Sequence, residues 1–253
     1  MLLHCYPLIT DILHQSNMKR RYVSCLDDTR RSWGIDVIDI IFFDLDGTLT
    51  DPKIGITKSI QYALASFGIN VENPDDLVKF IGPPIRPAFK NFYGFDDADA
   101  EKAVEKFRER FLVKGIYENV MYDGIEVMLQ KLKDAGKVLI IATSKPTVQA
   151  KTVLSYFNID KYFTFVSGSE MNGDRSDKGE VIQYALEQTG ISDISRCIMV
   201  GDRKHDVIGA KTVGMQSIGV LYGYGDYEEL SQANADYIVK NVDELSALLC
   251  NCE

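Results

Sequence analysis

The sequence is poor in the features that mark secreted, membrane-spanning or disulfide-rich proteins. Its 253 residues include five cysteines, none in a CxxC pair, and free thiols suit a reducing cytoplasm. No apolar run approaches the roughly 18 residues that a membrane span needs. The briefly apolar start, MLLHCYPLI, lacks the basic region and the small-residue cleavage site of a secretory signal. We therefore expect a cytoplasmic protein that does not bind a membrane.

Basic residues are also in the minority. The chain has 28 Lys and Arg against 37 Asp and Glu, a net charge of −9, and a sequence pI of about 4.9. A surface that binds nucleic acid would show a basic stripe, so no nucleic-acid partner is expected. Apolar residues make up 45% of the chain, which is ordinary for a globular protein. The sequence leaves the choice between a monomer and a homodimer open.

The first 36 residues differ in composition from the rest of the chain. Residues 1–35 hold five basic residues against three acidic ones and show no clean periodicity. We predict that residues 1–36 form an extension outside the fold, with disorder as one interpretation of it.

From residue 37 onward, short apolar runs alternate with helix-like segments. The strand candidates are residues 37–43, 137–142, 162–166, 196–200, 216–221 and 236–239. Gly136, Gly190 and Gly214 follow helix-like segments, where the left-handed conformation favours glycine. Strand–helix alternation is typical of βαβ units, in which helices cover both faces of a parallel sheet. The predicted fold is therefore α/β, a three-layer Rossmann-like sandwich.

One long segment interrupts this alternation. Residues 53–118 contain no strand-like run, and a structureless loop of that length is disfavoured. The residues that fall on one helical face of its first part are Ile56, Ile60, Leu64 and Phe67. We predict an inserted α-helical cap above the carboxyl edge of the sheet. The predicted domains are a core at 37–53 and 119–253 and a cap at 54–118.

Acids, a hydroxyl and a lysine follow four successive strands of this sheet. They are Asp44 and Asp46 after the first strand, Thr143 after the second, Lys178 beyond the third, and Asp202 and Asp206 after the fourth. Ligands of open α/β sheets bind beyond the carboxyl ends of the strands, so we expect these side chains to meet there. A single surface acid is usually structural, but this set predicts a functional site.

The motifs DLDGT, Thr143, Lys178 and GDRKHD, in this order, resemble the haloacid dehalogenase superfamily of phosphohydrolases over roughly residues 37–245. The inserted cap is similar to the C1-type cap of the phosphoglycolate phosphatase and beta-phosphoglucomutase branch. The segments FIGPPIR and IGVLYGYG resemble a bacterial group of phosphoglycolate phosphatases and 5'-nucleotidases.

The resemblance implies how the two acids of DLDGT act. Asp44 would attack phosphorus and form an aspartyl-phosphate. Asp46 would protonate the leaving oxygen and then deprotonate the water that hydrolyses the intermediate. An aspartate at position 46 points to phosphatase or phosphomutase chemistry and away from dehalogenase or phosphonatase chemistry.

The resemblance also implies a Mg²⁺ site, since this hard cation bridges carboxylates and phosphate. The side chains of Asp44 and Asp202 and the backbone carbonyl of Asp46 would hold the ion, with Asp206 beside it. Thr143 would donate a hydrogen bond to a phosphoryl oxygen. Lys178 would offset the charge of the nucleophile and the phosphoryl group. These residues complete the predicted catalytic and metal set.

Further positions resemble the family's contacts to the non-reacting end of the substrate. They are Arg86 in the cap and Ser144 and Lys145 after the second strand. His205 lies between two of the acids, but on a helix we expect it to point sideways and to play no catalytic part. Tyr222 and Tyr224 either line the mouth of the site or simply pack.

The expected function is that of a cytoplasmic, Mg²⁺-dependent phosphomonoesterase acting on a small phosphorylated metabolite. A nucleoside 5'-monophosphate and phosphoglycolate are the leading substrates. One alternative is a sugar-phosphate mutase of the beta-phosphoglucomutase type, which would keep the same residues and shield the aspartyl-phosphate from water. Another is a non-catalytic metabolite sensor on the same scaffold.

Overall fold

A six-stranded parallel sheet forms the centre of the protein. In the computed structural model, residues 38–250 are described, so the prediction for residues 1–36 lies outside this range. The strands of the sheet are β1 (Ile40–Phe43), β4 (Val138–Pro146), β5 (Phe165–Ser169), β6 (Cys197–Gly201), β7 (Gln216–Val220) and β8 (Tyr237–Val239). Their order is β5-β4-β1-β6-β7-β8. All six predicted strands are present.

Helices cover both faces of the sheet, which confirms the predicted three-layer α/β fold. They are α4 (Ile125–Asp134), α5 (Thr147–Tyr156), α6 (Lys178–Thr189), α7 (Lys204–Thr212), α8 (Tyr227–Gln232) and α9 (Val242–Cys250). Ile41 and Phe43 of β1 pack in the core cluster that contains residues of α4, α5 and α9. Phe42 points to the other face, where residues of α6 and α7 cover it. Because side chains alternate along a strand, both faces of β1 must be apolar, and its continuous apolar run satisfies that requirement.

Three helices are inserted between β1 and α4. They are α1 (Lys53–Ala65), α2 (Ile85–Tyr93) and α3 (Asp97–Phe111), with 3₁₀ turns at Pro74–Phe80 and Gly115–Tyr117. We call residues 53–117 the helical insertion. Three of the four residues predicted to share an apolar face, Ile56, Ile60 and Leu64, lie in the first helix and are at most 4% exposed. The fourth, Phe67, follows the end of the helix and is partly buried.

Two details of the chain path were not predicted. Short strands β2 (Thr50–Asp51) and β3 (Val120–Met121) pair antiparallel at the base of the insertion. Strand β4 continues past the predicted end at residue 142 to Pro146, with an irregular register after Ala142. Strands of two residues are too short to show a periodicity.

Within residues 38–250, none of the helices combines the length and the apolar character that a membrane crossing requires.

Candidate active site

Asp44 stands where the central strand reaches the carboxyl edge of the sheet. Its backbone N–H donates to the carbonyl of Val200 at 2.9 Å, so the neighbouring strand β6 holds its backbone in place. The side chain is buried and lies 2.9 Å from the ammonium nitrogen of Lys178. The strand therefore delivers one carboxylate, already paired with a cation, to the sheet edge.

Lys178 links the first and last motifs of the sequence. It begins α6, and the Asp177 side chain caps this helix by accepting the N–H of Gly179. The Lys178 Nζ lies 2.9 Å from Asp44 Oδ1 and 2.7 Å from Asp206 Oδ1, and it donates to the carbonyl of Ala142. Burial alone would lower the pKa of Lys178, but the charges of Asp206 and Asp44 outweigh it and raise the pKa. The side chain is therefore held as an ammonium.

Asp44, Asp202 and Asp206 form a buried acidic cluster in which one carboxylate oxygen of each residue lies within 4.8 Å of the other two. Burial raises the pKa of Asp202 well above its ordinary value, and the charges of Asp206 and Asp44 add to this. Burial also raises the pKa of Asp206 to about 6, although Lys178 opposes the change. In the absence of further positive charge, the fold therefore disfavours ionisation of Asp202 and Asp206.

The donor set of the acidic cluster fits a divalent metal ion. Three carboxylates stand against one ammonium, Lys178, which touches only two of them. Asp202 accepts only neutral hydrogen bonds in the described residues, from the N–H of Tyr224 at 2.8 Å and the hydroxyl of Thr48 at 3.3 Å. A buried excess of negative charge is costly unless a cation balances it. Close-set carboxylate oxygens are the ligands that hard divalent ions prefer.

Two glycines make room for the carboxylate of Asp202. Gly47 has φ +88°, and a Cβ atom there would lie 2.2 Å from Asp202 Oδ2. A Cβ atom at Gly223 would lie 2.4 Å from Asp202 Cβ. Any side chain at these two positions would displace this carboxylate.

Asp46 is buried two residues beyond Asp44 and is held by Lys145. The ammonium of Lys145 donates to Asp46 Oδ2 at 2.5 Å and lies 5.0 Å from the ring centroid of Phe111 in the helical insertion. Burial raises the pKa of Asp46, Lys145 opposes this change, and the charge of Asp44 adds to it. Thr143 is also buried here, and its hydroxyl oxygen accepts the N–H of Lys145 at 3.3 Å.

A cavity of about 360 Å³ lies between this edge of the sheet and the helical insertion. The predicted residues that line it are Asp44, Asp46, Arg86, Thr143, Ser144 and Lys145. Its apolar wall consists of Ile56, Phe80, Ile85, Val104, Phe107 and Phe111 of the insertion. The structure thus brings all the predicted site residues to one region. Lys178, Asp202 and Asp206 do not line the cavity but adjoin Asp44 on its floor, where Lys178 contacts Asp206 and Asp202 belongs to the acidic cluster.

Arg86 and Arg108 bring two guanidinium groups to the cavity wall. Arg86 forms an ion pair with Glu101, which also lines the cavity. Arg108, which was not predicted, donates to the carbonyl of Met171 at 2.6 Å across the cavity. Its position could have been found, because residues 104, 108 and 111 share one face of a helix.

The remaining candidates lie outside the cavity lining. His205 is half-buried, and burial lowers its pKa; it is absent from the residues that line the cavity. Tyr222 and Tyr224 pack at the base of the insertion, where their hydroxyls donate to the Thr48 carbonyl and to the Asp51 carboxylate. Of the two alternatives for these tyrosines, packing is the one observed.

Three features define the class of protein: the parallel sheet, the acidic cluster with its lysine at the carboxyl edge, and the helical insertion above them. They are typical of one class of hydrolases with a Rossmann-like α/β core. The chain belongs to the haloacid dehalogenase-like hydrolase family, whose model matches residues 41–220. The predicted family is therefore confirmed. Members of this family generally use a divalent metal ion, and the acidic cluster is suited to hold one.

Among the similar proteins, a 5'-nucleotidase and a predicted phosphatase support a phosphatase within this family, and another relative is named a protein kinase. A 5'-nucleotidase from Pseudomonas aeruginosa is 47% identical over 190 residues, which cover 75% of this chain and 86% of that protein. The tyrosine-protein kinase PtkA of Mycobacterium tuberculosis is 34% identical over 83% of this chain and 72% of its own length. The crystal structure of a predicted phosphatase from Clostridium acetobutylicum superposes with a TM-score of 0.83 at 48% identity, covering 85% of this chain and 99% of that one. The chain is accordingly a phosphatase.

Proposed function

We propose that the protein is a Mg²⁺-dependent phosphomonoesterase that hydrolyses nucleoside 5'-monophosphates through an aspartyl-phosphate on Asp44. The observation that carries this proposal is the contact of one buried ammonium, Lys178, with both Asp44 and Asp206. It places a positive charge against a nucleophilic carboxylate at the floor of a cavity large enough for a nucleotide. We further propose a cytoplasmic location, since the described cysteines, Cys197 and Cys250, are free thiols.

Asp44 is the proposed nucleophile. One of its oxygens forms the bond to phosphorus while the ester P–O bond breaks, and the electrons of that bond leave with the substrate oxygen. Lys178 offsets the negative charge of Asp44 and of the phosphoryl group. The Thr143 hydroxyl oxygen accepts an N–H, so its own hydrogen is free to be donated to a phosphoryl oxygen.

Asp46 is the proposed acid and base. Its raised pKa favours the protonated form, which can give its proton to the leaving oxygen. The carboxylate that results can then take a proton from the water that attacks the aspartyl-phosphate. Lys145 and the buried setting hold Asp46 in one orientation beside Asp44.

Mg²⁺ is the proposed metal because all the donors offered are hard oxygens. Asp44, Asp202 and the backbone carbonyl of Asp46 would hold it, with Asp206 beside it. When bound, the ion neutralises charge on the nucleophile and on the phosphate and so lowers the cost of their approach. Binding also needs the carboxylates in ionised form, which the raised pKa values of Asp202 and Asp206 make dependent on pH.

The cavity supports a nucleotide over phosphoglycolate. Sites of roughly 300–1,000 Å³ enclose ligands of drug size, and the cavity of about 360 Å³ would be left largely empty by phosphoglycolate. Phe80, Phe107 and Phe111 line it, and aromatic side chains favour stacking with planar aromatic groups such as a nucleobase. The name of the 47% identical relative agrees with this choice. A concave cavity of this size also supports a small-molecule substrate. The substrate of a protein kinase would instead be a side chain on the surface of a folded protein.

A screen of phosphorylated compounds tests the proposal. Phosphate release would be measured with nucleoside 5'-monophosphates, phosphoglycolate and beta-glucose 1-phosphate, each with Mg²⁺ and with EDTA. We expect the highest kcat/KM for a nucleotide, no turnover in EDTA and none in Asp44→Asn, which changes one functional atom. An isomerised sugar phosphate without phosphate release would establish the mutase alternative. Binding without turnover of any compound would establish the sensor alternative.

A further inference from the structure

The part of the insertion that enters the cavity is a segment with two prolines. Gly82, Pro83, Pro84, Ile85 and Arg86 all line the cavity, between the 3₁₀ turn that ends at Phe80 and the start of α2. Pro83 and Pro84 have no N–H to donate, so two of these five residues cannot donate backbone hydrogen bonds. A contact from outside the segment can therefore set its height above the catalytic floor.

Arg203 makes that connection from the core. Its Nη1 donates to the carbonyl of Ile81 at 2.7 Å, directly before the cavity segment. Its Nε and Nη2 donate to the two carboxylate oxygens of Glu229, at 2.9 and 3.3 Å. Glu229 is itself fixed, because it also accepts the N–H of Lys204 at 2.8 Å, while its own N–H donates to Asp226. One guanidinium thus ties the insertion to helix α8 of the core.

In the insertion, Gly82 packs closely against the side chain of Arg203. Gly82 has φ +101°, and a Cβ atom there would lie 3.0 Å from Arg203 Cγ. A residue with a side chain at position 82 would be strained in this conformation and would press on the aliphatic part of Arg203. The glycine therefore lets the segment pass directly over the arginine.

We propose that Arg203 is a positioning residue that sets the height of the cavity segment over the catalytic floor and thereby governs binding of the leaving group. Arg203 does not line the cavity, so it acts through Ile81 and the residues that follow. This inference uses the proposed function only in taking the cavity as the binding site of the leaving group. Loss of the contact should weaken binding of substrates that fill the cavity and spare the phosphate subsite at Asp44, Thr143 and Lys178.

The test compares two variants that disturb the contact from opposite sides. Arg203→Lys keeps the positive charge near Asp202 but cannot reach Ile81 and both oxygens of Glu229 at once. Gly82→Ala alters the insertion without a change of charge. For Arg203→Lys we expect KM for p-nitrophenyl phosphate to rise at least about tenfold, the lower end of what a hydrogen bond to a charged group contributes. For Gly82→Ala we expect a rise in the same direction, and kcat should change less than about threefold in both variants. The inhibition constant for inorganic phosphate should stay unchanged, and the effects of the two variants should be less than additive.

Arg196→Lys is the matched control. Arg196 precedes the same strand β6 at its other end and also donates through its guanidinium to a carboxylate, that of Asp39. It should change none of these constants. Equal rises in KM and in the phosphate inhibition constant for Arg203→Lys would overturn the proposal, since Arg203 would then act on the metal or phosphate site. Unchanged KM in both variants would overturn it as well.

Hydrogen exchange provides a readout that does not depend on turnover. Amides of α2, residues 85–93, should exchange faster in Arg203→Lys and Gly82→Ala than in the wild type, while those of α6 should not change. Faster exchange together with an unaltered KM would show that Arg203 positions the segment but that the substrate does not bind in the cavity. That result would count against the proposed function. Unaltered exchange in both variants would refute the positioning role itself.

Discussion

Raising the pH should destabilise the metal-free protein through Asp206, and Mg²⁺ should reverse the loss. Burial raises the pKa of Asp206 to about 6 in the folded state, whereas an unfolded aspartate has a pKa of about 3.9. The folded protein therefore binds this proton more tightly than the unfolded chain does. The stability that the neutral carboxyl contributes is fully present below about pH 4 and is lost as the pH rises through about 6.

The size of the effect follows from the two pKa values. Each pKa unit corresponds to about 1.4 kcal/mol, so ionisation of Asp206 costs the metal-free fold about 3 kcal/mol in total. Roughly half of this, about 1.5 kcal/mol, falls between pH 5 and pH 7.5. For a chain of this length that is a decrease in Tm of about 3–6 °C. Mg²⁺ at about 100 times its Kd should return about 2.7 kcal/mol at pH 7.5.

Thermal unfolding at pH 5 and pH 7.5, in EDTA and in excess Mg²⁺, measures these changes. Other groups titrate in this window. His205 acts in the opposite direction, because burial lowers its pKa and its neutral form stabilises the fold as the pH rises. The matched comparison is therefore Asp206→Asn, whose side chain stays neutral at both pH values. The pH dependence in EDTA should be larger in the wild type than in this variant, and Mg²⁺ should raise Tm more at pH 7.5 than at pH 5. The same pH dependence in both proteins would refute the reasoning.

Three further predictions concern catalysis, the metal site and the N-terminal residues. Asp46→Asn should lose roughly two to four orders of magnitude in kcat for nucleotides and less for p-nitrophenyl phosphate, whose leaving oxygen scarcely needs a proton; equal losses for both would argue against an acid–base role. Gly47→Ala should abolish Mg²⁺ binding by calorimetry while the circular dichroism stays the same, because its Cβ would lie 2.2 Å from Asp202 Oδ2; retained Mg²⁺ affinity would show that the loop can move aside. Deleting residues 1–35 should leave kcat/KM and Tm almost unchanged, since the family match begins at residue 41; a large loss of either would mean that this segment belongs to the fold.

Much of the core could be predicted because its signals are local. A strand buried on both faces must be apolar at every position, and the run before Asp44 shows this directly. Helices that begin and end at capping residues, such as α6 between Asp177 and Gly190, show their bounds in a few neighbouring residues. The site residues that follow these strands meet because parallel strands end at one edge. Asp44, Thr143, Lys178 and Asp202 could thus be predicted without knowing a single distance.

Side-chain contacts between residues far apart in the chain could not be predicted in this way. Lys145 and Asp46 are 99 residues apart, and Arg203 and Ile81 are 122 residues apart. Long side chains have many rotamers, and only the packing around them selects one. The sequence also predicts that the second strand ends at residue 142, whereas β4 continues through Thr143 to Pro146.

The sequence by itself determined the family, the sheet and the residues at its carboxyl edge, because these depend on periodicity and on motifs a few residues long. The tertiary structure alone decided the volume of the cavity and the aromatic side chains that line it. It also decided the hydrogen bonds by which Arg108 and Arg203 connect the helical insertion and the core. The physical reason is that a cavity is the space left between two surfaces. Its shape depends on how the helical insertion is set on the core, and that arrangement is held by a few contacts between residues distant in the chain, such as the hydrogen bond from Arg203 to Ile81.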